Sequence, residues 1–122
     1  MEKSTEACVL DLSGKECIPC KGGVPPLNAE EQAELLKTLG SDWQIVDGHH
    51  LSKTYAFPDF AEALRYTNLV GAMAEEQGHH PDMLVAWGKV RVEVWTHKID
   101  GLVESDFIFA AKAETIFQAM ES

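Results

Sequence analysis

The chain has 122 residues, of which 45% are hydrophobic and 25% charged, the balance of a single globular domain. Twenty acidic residues against ten basic ones give a formal net charge of −10, which argues against direct binding to nucleic acid, because phosphates favour clusters of Lys and Arg. No apolar run approaches the ~20 residues of a membrane span, and the first residues do not form a secretory signal. We therefore expect a cytoplasmic protein with no membrane partner.

The first 27 residues are predicted to form an irregular arm ahead of a single domain over residues 28–122. Glycine and proline recur through this arm, and both discourage helix and strand. All three cysteines, Cys8, Cys17 and Cys20, lie within it, and an odd, clustered set does not predict a disulfide scaffold. Cys17 and Cys20 have the spacing of half a zinc knuckle, but no second pair of ligands follows, so we expect no metal.

Local signals predict a helix after the arm and a hairpin after that helix. Asn28 suits the N-cap position, Glu31 is its partner in a capping box, and Gly40 ends the apolar stripe. Two short segments rich in aromatic and β-branched residues then flank an Asp-Gly turn, which is typical of a β-hairpin. We expect the two strands at Trp43–Val46 and Leu51–Phe57.

A second, longer helix is predicted to begin at Pro58 and to end at Gly78. Apolar and small residues recur at three- and four-residue spacing between these positions. Glycine suits the left-handed residue that ends many helices, and Pro81 prevents continuation. His79 and His80 are therefore expected on the loop that leaves this helix.

A second hairpin is predicted after this loop. Its strands are Met83–Trp87 and Val90–His97, and Gly88-Lys89 is a two-residue connection of the Gly-X kind. Valines alternate with polar residues along the second strand, as expected where one face is buried. His97 therefore lies off the valine face.

A last helix is predicted from about Ser105, so the element order is α-β-β-α-β-β-α. Helices and antiparallel strands in this order bury their apolar faces if the helices collect on one side of the sheet. We therefore predict an α+β fold, a two-layer sandwich of a four-stranded antiparallel sheet with three helices on one face.

Three of the five histidines lie in a short stretch that includes the strings EEQGHHPD and THKIDGL. Histidine exchanges a proton readily near neutral pH, so a cluster of three indicates acid/base chemistry. The stretch resembles the pterin-4a-carbinolamine dehydratase family, whose pattern runs from an acidic residue through His-His-Pro and an aromatic residue to another histidine and an aspartate. The matching positions are Glu75, His79, His80, Pro81, Trp87, His97 and Asp106. The element order over residues 28–122 and the arm segment CIPCKGGVPPL also resemble this family.

The resemblance implies a hydro-lyase that converts 4a-hydroxytetrahydropterin to quinonoid dihydropterin and water. This step recycles the tetrahydrobiopterin-type cofactor of aromatic amino acid hydroxylases, which implies a hydroxylase as a pathway partner. Loss of the 4a-hydroxyl needs a proton delivered to that oxygen and a proton removed from a ring nitrogen. Neither a metal nor another cofactor is expected.

Family membership would assign catalysis to His79, His80 and His97. We expect His79 and His97 to be the acid and the base, while His80 orients the pterin and shares the proton work. The expected substrate-binding residues are Glu75, Pro81, Thr96 and Asp106. Glu75 and Asp106 could fix an imidazole tautomer or receive the pterin's amino and ring NH groups; either could also be an ordinary solvated or helix-capping carboxylate. The sequence departs from some members at Gly78, where they carry aspartate.

Two other functions stay open. Animal members of the family also serve as dimerisation cofactors of a homeodomain transcription factor, so an interaction protein is one alternative. A pterin-binding protein of another pathway, such as molybdopterin metabolism, is the other. In each case the sheet edge favours pairing with a second subunit, and we expect a homodimer or homotetramer.

The other aromatic and histidine residues are given simpler interpretations. His49 and His50 lie in a predicted hairpin turn without a partner pattern, so we expect plain surface. Trp87 is expected to buttress the histidine loop. Trp95, on the same strand face as His97, is expected to line a pocket for a planar ligand or to fill a subunit interface.

Overall fold

The computed structural model describes residues 12, 14–15 and 25–121. The helices are α1 (Ala29–Leu39), α2 (Phe60–Gln77) and α3 (Glu104–Glu121), and the strands are β1 (Gln44–Val46), β2 (His50–Ala56), β3 (Asp82–Ala86) and β4 (Lys89–Val94). The strands form one antiparallel sheet in the order β1-β2-β4-β3. The predicted α+β class and element order are therefore confirmed.

Most of the predicted arm, including Cys8, Cys17 and Cys20, lies outside the described residues, so the expectations about it stay predictions. Among the arm residues that are described, Leu12 has its side chain buried in the core. Lys15 forms an exposed ion pair with Glu104 at the start of α3, with 3.0 Å between Nζ and Oε2. Among the described residues, no helix has both the length and the apolar character needed to cross a membrane.

Helix α1 begins and ends where its local signals predict. The Asn28 side chain accepts a hydrogen bond from the Glu31 backbone N–H at 2.8 Å, and the Glu31 carboxylate accepts one from the Asn28 N–H at 2.9 Å. This reciprocal pair is a capping box, which satisfies two backbone donors that the helix itself leaves without partners. Gly40, at φ +60°, ends the helix.

Helix α2 ends in a Schellman motif that determines the direction of the histidine loop. Gly78 adopts a left-handed conformation at φ +66°, which costs glycine little because it has no Cβ. The His79 N–H donates to the Ala74 carbonyl at 3.2 Å, and the Gly78 N–H donates to the Glu75 carbonyl at 3.3 Å. The chain therefore turns away from the helix axis at His79, as predicted.

The second hairpin differs from its prediction by one residue. Ala86 pairs with Lys89, so the two-residue connection is Trp87-Gly88 and not Gly88-Lys89. The Gly88 carbonyl accepts a hydrogen bond from the Phe57 N–H at 2.8 Å, and a Cβ on Gly88 would lie 3.2 Å from the Phe57 carbonyl oxygen. The position of this turn is therefore determined by its contact with Phe57, the residue that follows β2. Trp87 is 70% exposed in this turn, and the structure does not show the predicted buttressing.

Strand β4 is shorter than predicted, because it ends at Val94 and not at His97. The backbone folds back after Thr96, whose carbonyl accepts from the Asp100 N–H at 2.8 Å, and only an isolated bridge to Gly101 follows. The valine alternation is confirmed, since the three valines of β4 are fully buried beneath the helices.

The core contains both tyrosines of the chain, and each hydroxyl has a partner. The Tyr55 hydroxyl donates to Glu114 Oε1 at 2.7 Å, and the Tyr66 hydroxyl donates to the Ala113 carbonyl at 3.0 Å. Lys53 Nζ also lies 2.9 Å from Glu114 Oε1, so the buried carboxylate is paired with a cation. Burial raises the pKa of both tyrosines above the ordinary value, because the low-dielectric core disfavours the phenolate.

Candidate active site

Three segments that are far apart in the sequence meet at one carboxylate, that of Asp106. Its side chain is 0% exposed. Oδ1 lies 2.6 Å from His79 Nε2, while Oδ2 accepts from the Thr96 hydroxyl and from the Val103 backbone N–H, both at 2.9 Å. The carboxylate thereby ties the loop after α2 to the end of β4 and to the start of α3.

The beginning of α3 explains why a buried carboxylate is tolerated there. Asp106 is the third residue of α3, and its carboxylate accepts a hydrogen bond from the Val103 N–H, one of the backbone donors that the start of a helix leaves without a partner. The positive end of the helix dipole also favours a negative charge in the first turn. Asp106 is therefore not a solvated carboxylate, and that alternative is wrong. Its carboxylate caps the start of α3, as the other alternative predicted, and it also contacts His79.

The contact with Asp106 determines which nitrogen of His79 carries a proton. An ionised carboxylate can only accept hydrogen bonds, so Nε2 of His79 must donate. The other ring nitrogen, Nδ1, has no hydrogen-bond partner among the described residues and is left for a ligand. The side chain is 11% exposed, and its ring centre lies 5.9 Å from that of Phe109. His79 is therefore held in one tautomer beside an apolar wall.

His80 has a carboxylate partner of a different kind. Its Nε2 lies 2.7 Å from Glu75 Oε2, but the two side chains are 59% and 80% exposed. Of the roles considered for Glu75, this geometry favours the one in which its carboxylate fixes an imidazole tautomer. The imidazole concerned is that of His80 and not that of His79. Pro81, between the pair and β3, is half-buried, and its predicted role in binding stays a prediction.

His97 lies on the exposed side of the fold, off the valine face as predicted. Its ring centre is 4.5 Å from that of Trp95, with the planes inclined by 50°. No contact among the described residues joins His97 to His79 or His80; the link runs along the backbone to Thr96 and through the Thr96 hydroxyl to Asp106. Thr96 is itself buried, so the structure shows it positioning Asp106.

The expectation that His49 and His50 are plain surface is wrong. Both are half-buried, and their ring centres lie 5.1 and 5.6 Å from that of Trp95. His49 Nε2 also lies 2.8 Å from Asp100 Oδ1, which connects the β1–β2 turn to the loop that follows His97. The sequence could not show this neighbourhood, because it depends on the pairing of β2 with β4, two strands separated by a helix and a strand.

Asp106 is thus the centre of the candidate site, with His79 fixed on one side and Thr96 on the other. His80, Glu75 and His97 flank it from more exposed positions. Within the described part of the chain, no three His, Cys, Asp or Glu side chains are grouped so as to hold a metal ion. The arrangement can deliver and accept protons, and its least solvated imidazole already has an assigned tautomer.

Comparison with known proteins assigns the chain to a family. The family model described as Pterin 4 alpha carbinolamine dehydratase matches residues 25–116. A protein of Rubrobacter xylanophilus that is provisionally named pterin-4-alpha-carbinolamine dehydratase is 54% identical over 106 residues, which are 87% of this chain and 98% of that protein.

Two solved structures share the fold. A transcriptional coactivator/pterin dehydratase from Brucella melitensis is 33% identical with a TM-score of 0.70, over 75% of this chain and 97% of that one. A pterin dehydratase-like protein described as a RuBisCO assembly factor of the α-carboxysome is 22% identical with a TM-score of 0.53, over 61% of this chain and 87% of that one, and shows the fold alone. From the match over residues 25–116 and the close relative, the chain belongs to the pterin 4 alpha carbinolamine dehydratase family.

Proposed function

We propose that the protein dehydrates 4a-hydroxytetrahydropterin to quinonoid dihydropterin and water by histidine acid/base catalysis. The observation that carries this proposal is the 2.6 Å contact between His79 Nε2 and the fully buried Asp106 carboxylate. A histidine on the surface without a catalytic role does not require a buried carboxylate as its partner. An imidazole that transfers a proton is a more effective acid or base when its tautomer and orientation are fixed. Family membership supplies the pterin substrate.

The reaction moves one proton on and one proton off the substrate. The 4a-oxygen leaves as water after it receives a proton, the C4a–O bond breaks, and a ring nitrogen loses a proton. His79 offers Nδ1 for one of these transfers, because Nε2 is occupied by Asp106. His97 is proposed for the other transfer, and the exposed His80 orients the pterin with Glu75 behind it. Thr96 acts by holding Asp106.

The direct test is the dehydration rate of His79→Ala, His80→Ala and His97→Ala proteins with a synthetic carbinolamine. We expect losses of about 10²–10⁴-fold for His79→Ala and His97→Ala, the usual contribution of a general acid or base, and a smaller loss for His80→Ala. Lys98→Ala is the matched control, since Lys98 is an exposed neighbour of His97. Wild-type rates in all three histidine variants would show that the mechanism is wrong.

We propose that the quinonoid dihydropterin product is reduced by two electrons, by a separate reductase, to the tetrahydrobiopterin-type cofactor of a hydroxylase in the cytoplasm, and that the protein is a homodimer or homotetramer. Support for association comes from the sheet: β3 is an edge strand, and Leu84 on it is 46% exposed. Light scattering tests the assembly. A single 13.5 kDa species at micromolar concentration would contradict it.

One observation favours a second function, that of an interaction protein. Helix α2 exposes Phe60, Leu64 and Leu69 by 46%, 42% and 41%, and a groove of about 270 Å³ lies between α2 and α3. Phe60 and Leu64 lie on one side of α2, whereas Leu69, nine residues from Phe60, lies on the opposite side, next to the groove. Exposed large apolar side chains mark contact surfaces, for a second copy of the chain or for another protein. A variant with Leu64→Lys and Leu69→Lys tests these surfaces: loss of assembly with unchanged dehydration would assign them to assembly and not to catalysis.

A further inference from the structure

His97 differs from the other two histidines of the candidate site in how its ring is held. His79 and His80 each contact a carboxylate, at 2.6 and 2.7 Å. In the described part of the chain, the exposed imidazole of His97 has no carboxylate or other hydrogen-bond partner. Its ring packs instead against that of Trp95, with 4.5 Å between the ring centres. The orientation of His97 therefore depends on packing and not on a hydrogen bond.

The backbone around His97 is fixed by a short loop. The Thr96 N–H donates to the Gly101 carbonyl at 2.9 Å, and the Asp100 N–H donates to the Thr96 carbonyl at 2.8 Å. These bonds close the loop that carries His97, so the rotamer of its side chain is the remaining degree of freedom. An exposed side chain without a partner samples several rotamers, and it is held in one only when a neighbour excludes the others.

Trp95 is itself held by residues of the first hairpin. The register of β2 with β4 brings His50 beside Trp95. The ring centres of His49 and His50 lie 5.1 and 5.6 Å from that of Trp95, on which His97 also packs. The half-buried indole thus contacts three imidazoles, and rings packed in this way restrict one another's rotation.

A hydrogen bond joins the β1–β2 turn to the loop of His97 as well. His49 Nε2 lies 2.8 Å from Oδ1 of Asp100, one of the residues that close this loop. His49 therefore contacts both the indole that packs on His97 and the loop that fixes the His97 backbone.

We propose that the β1–β2 turn positions His97 for proton transfer, with Trp95 as the positioning residue in contact with His97 and His49 as the residue that holds Trp95. This inference rests on the proposed function, in which His97 exchanges a proton with the pterin. An imidazole that samples several rotamers is within reach of the reacting atom for only part of the time, so loss of the packing lowers kcat more than substrate binding. Trp95 acts through His97 and needs no contact with the reacting atoms.

The test compares Trp95→Leu with Trp95→Phe, because phenylalanine keeps an aromatic ring beside His97 and leucine does not. With a synthetic carbinolamine, we expect kcat to fall about tenfold in Trp95→Leu, KM to change by less than about twofold, and Trp95→Phe to keep about half of the wild-type kcat or more. The ring current of the indole displaces the C–H resonances of His97, so in Trp95→Leu they should move to the values of a free histidine. Unchanged imidazole signals of His79 verify that each variant is folded.

A double-mutant cycle separates positioning from a general loss of structure. If Trp95 acts through His97, Trp95→Leu has no further effect on kcat in a His97→Ala background. Asp100→Gly removes the bond to His49 and should lower kcat about twofold to threefold, since the pair is largely exposed. Asp47→Gly is the matched control, because both aspartates are exposed turn residues, at φ +57° and +55°, which glycine adopts readily.

Three results overturn the inference: a rise in KM with kcat unchanged in Trp95→Leu, an equal loss of kcat from Trp95→Leu with and without His97, or equal losses in Asp100→Gly and Asp47→Gly. Unchanged His97 resonances in Trp95→Leu overturn it alone and leave the proposed function standing. A wild-type rate in His97→Ala contradicts the proposed function, and the inference with it.

Discussion

Two histidine–carboxylate pairs follow one another along the chain and differ almost only in burial. His79 and Asp106 are 2.6 Å apart with side chains 11% and 0% exposed, whereas His80 and Glu75 are 2.7 Å apart with side chains 59% and 80% exposed. Water screens the attraction between two exposed side chains, so the electrostatic interaction energy of an exposed pair is small. A buried carboxylate interacts strongly with the groups around it. Similar distances therefore hold the two rings with different strength: the buried contact fixes the tautomer of His79 firmly, whereas the exposed contact with Glu75 favours a tautomer of His80 only weakly.

The buried pair is also tied to the fold, and the exposed pair is not. Asp106 accepts from Thr96 and Val103 as well as from His79, so its position depends on β4 and α3 together. Glu75 reaches His80 from the last turn of the same helix that leads into the histidine loop. Substitutions at the two carboxylates should separate these roles.

Among the carboxylate substitutions, the largest effect is expected from Asp106→Asn, because it reverses the tautomer of His79. Thr96 and Val103 both donate to Oδ2, so the amide oxygen of asparagine will occupy that side and the NH₂ group will face His79. Nε2 must then accept, and the proton moves to Nδ1, the nitrogen left for the substrate. We expect the dehydration rate to fall about 10²–10³-fold. Imidazole ¹⁵N shifts report the tautomer, and an unchanged Nε2–H signal would contradict this reasoning.

Asp106→Ala should destabilise the fold where Asp106→Asn does not. It leaves three donors, on the buried Thr96 and on the partly buried His79 and Val103, without an acceptor. We expect the free energy of unfolding to fall by about 3 kcal/mol, measured by urea denaturation. Glu75→Ala is the control on the exposed pair and should change it by less than about 0.5 kcal/mol. Equal losses in the two variants would mean that burial does not separate the pairs.

Burial also sets how stability responds to alkaline pH. Burial raises the pKa of Tyr55 and Tyr66, so above pH ~10 the unfolded chain loses phenolic protons that the folded chain keeps. The unfolded state then binds fewer protons, and the free energy of unfolding falls by about 1.4 kcal/mol for each tyrosine between pH 9 and 11 and more steeply at higher pH. Denaturation between pH 9 and 11 measures this fall. Tyr66→Phe should remove one tyrosine's share, and an unchanged fall would exclude this cause.

The smallest effect is expected at the exposed pair. Glu75→Gln keeps the size of the side chain and removes a largely solvated charge, so the dehydration rate should change by less than about threefold. Any difference from wild type should disappear near 1 M salt, because screening already weakens the interaction. Glu76→Gln, at the neighbouring exposed position, is the matched control. A tenfold or larger loss with Glu75→Gln would place Glu75 in direct contact with the pterin.

Signals within a few residues of one another were enough to predict the start of α1 and the ends of α1 and α2, whereas α2 begins at Phe60 and not at the predicted Pro58, because Asp59 is its N-cap. Asn28, Glu31, Gly40 and Gly78 act through their own backbone or that of the next turn, and all four have the predicted roles. The turn of the second hairpin was misplaced by one residue because Gly88 is held by the backbone of Phe57, which belongs to a different hairpin. Strand β4 was predicted too long because the chain folds back on itself at Thr96.

The sequence by itself determined the α+β fold, the start of α1, the ends of α1 and α2, and the family pattern from Glu75 to Asp106. These features depend on residue periodicity and capping chemistry, which are local. Only the tertiary structure decided which carboxylate meets which histidine: Asp106 holds His79, Glu75 holds His80, and His49 and His50 pack on Trp95. The reason is physical, since burial and strand pairing bring these groups together from distant positions, and burial determines how strongly a carboxylate acts on an imidazole.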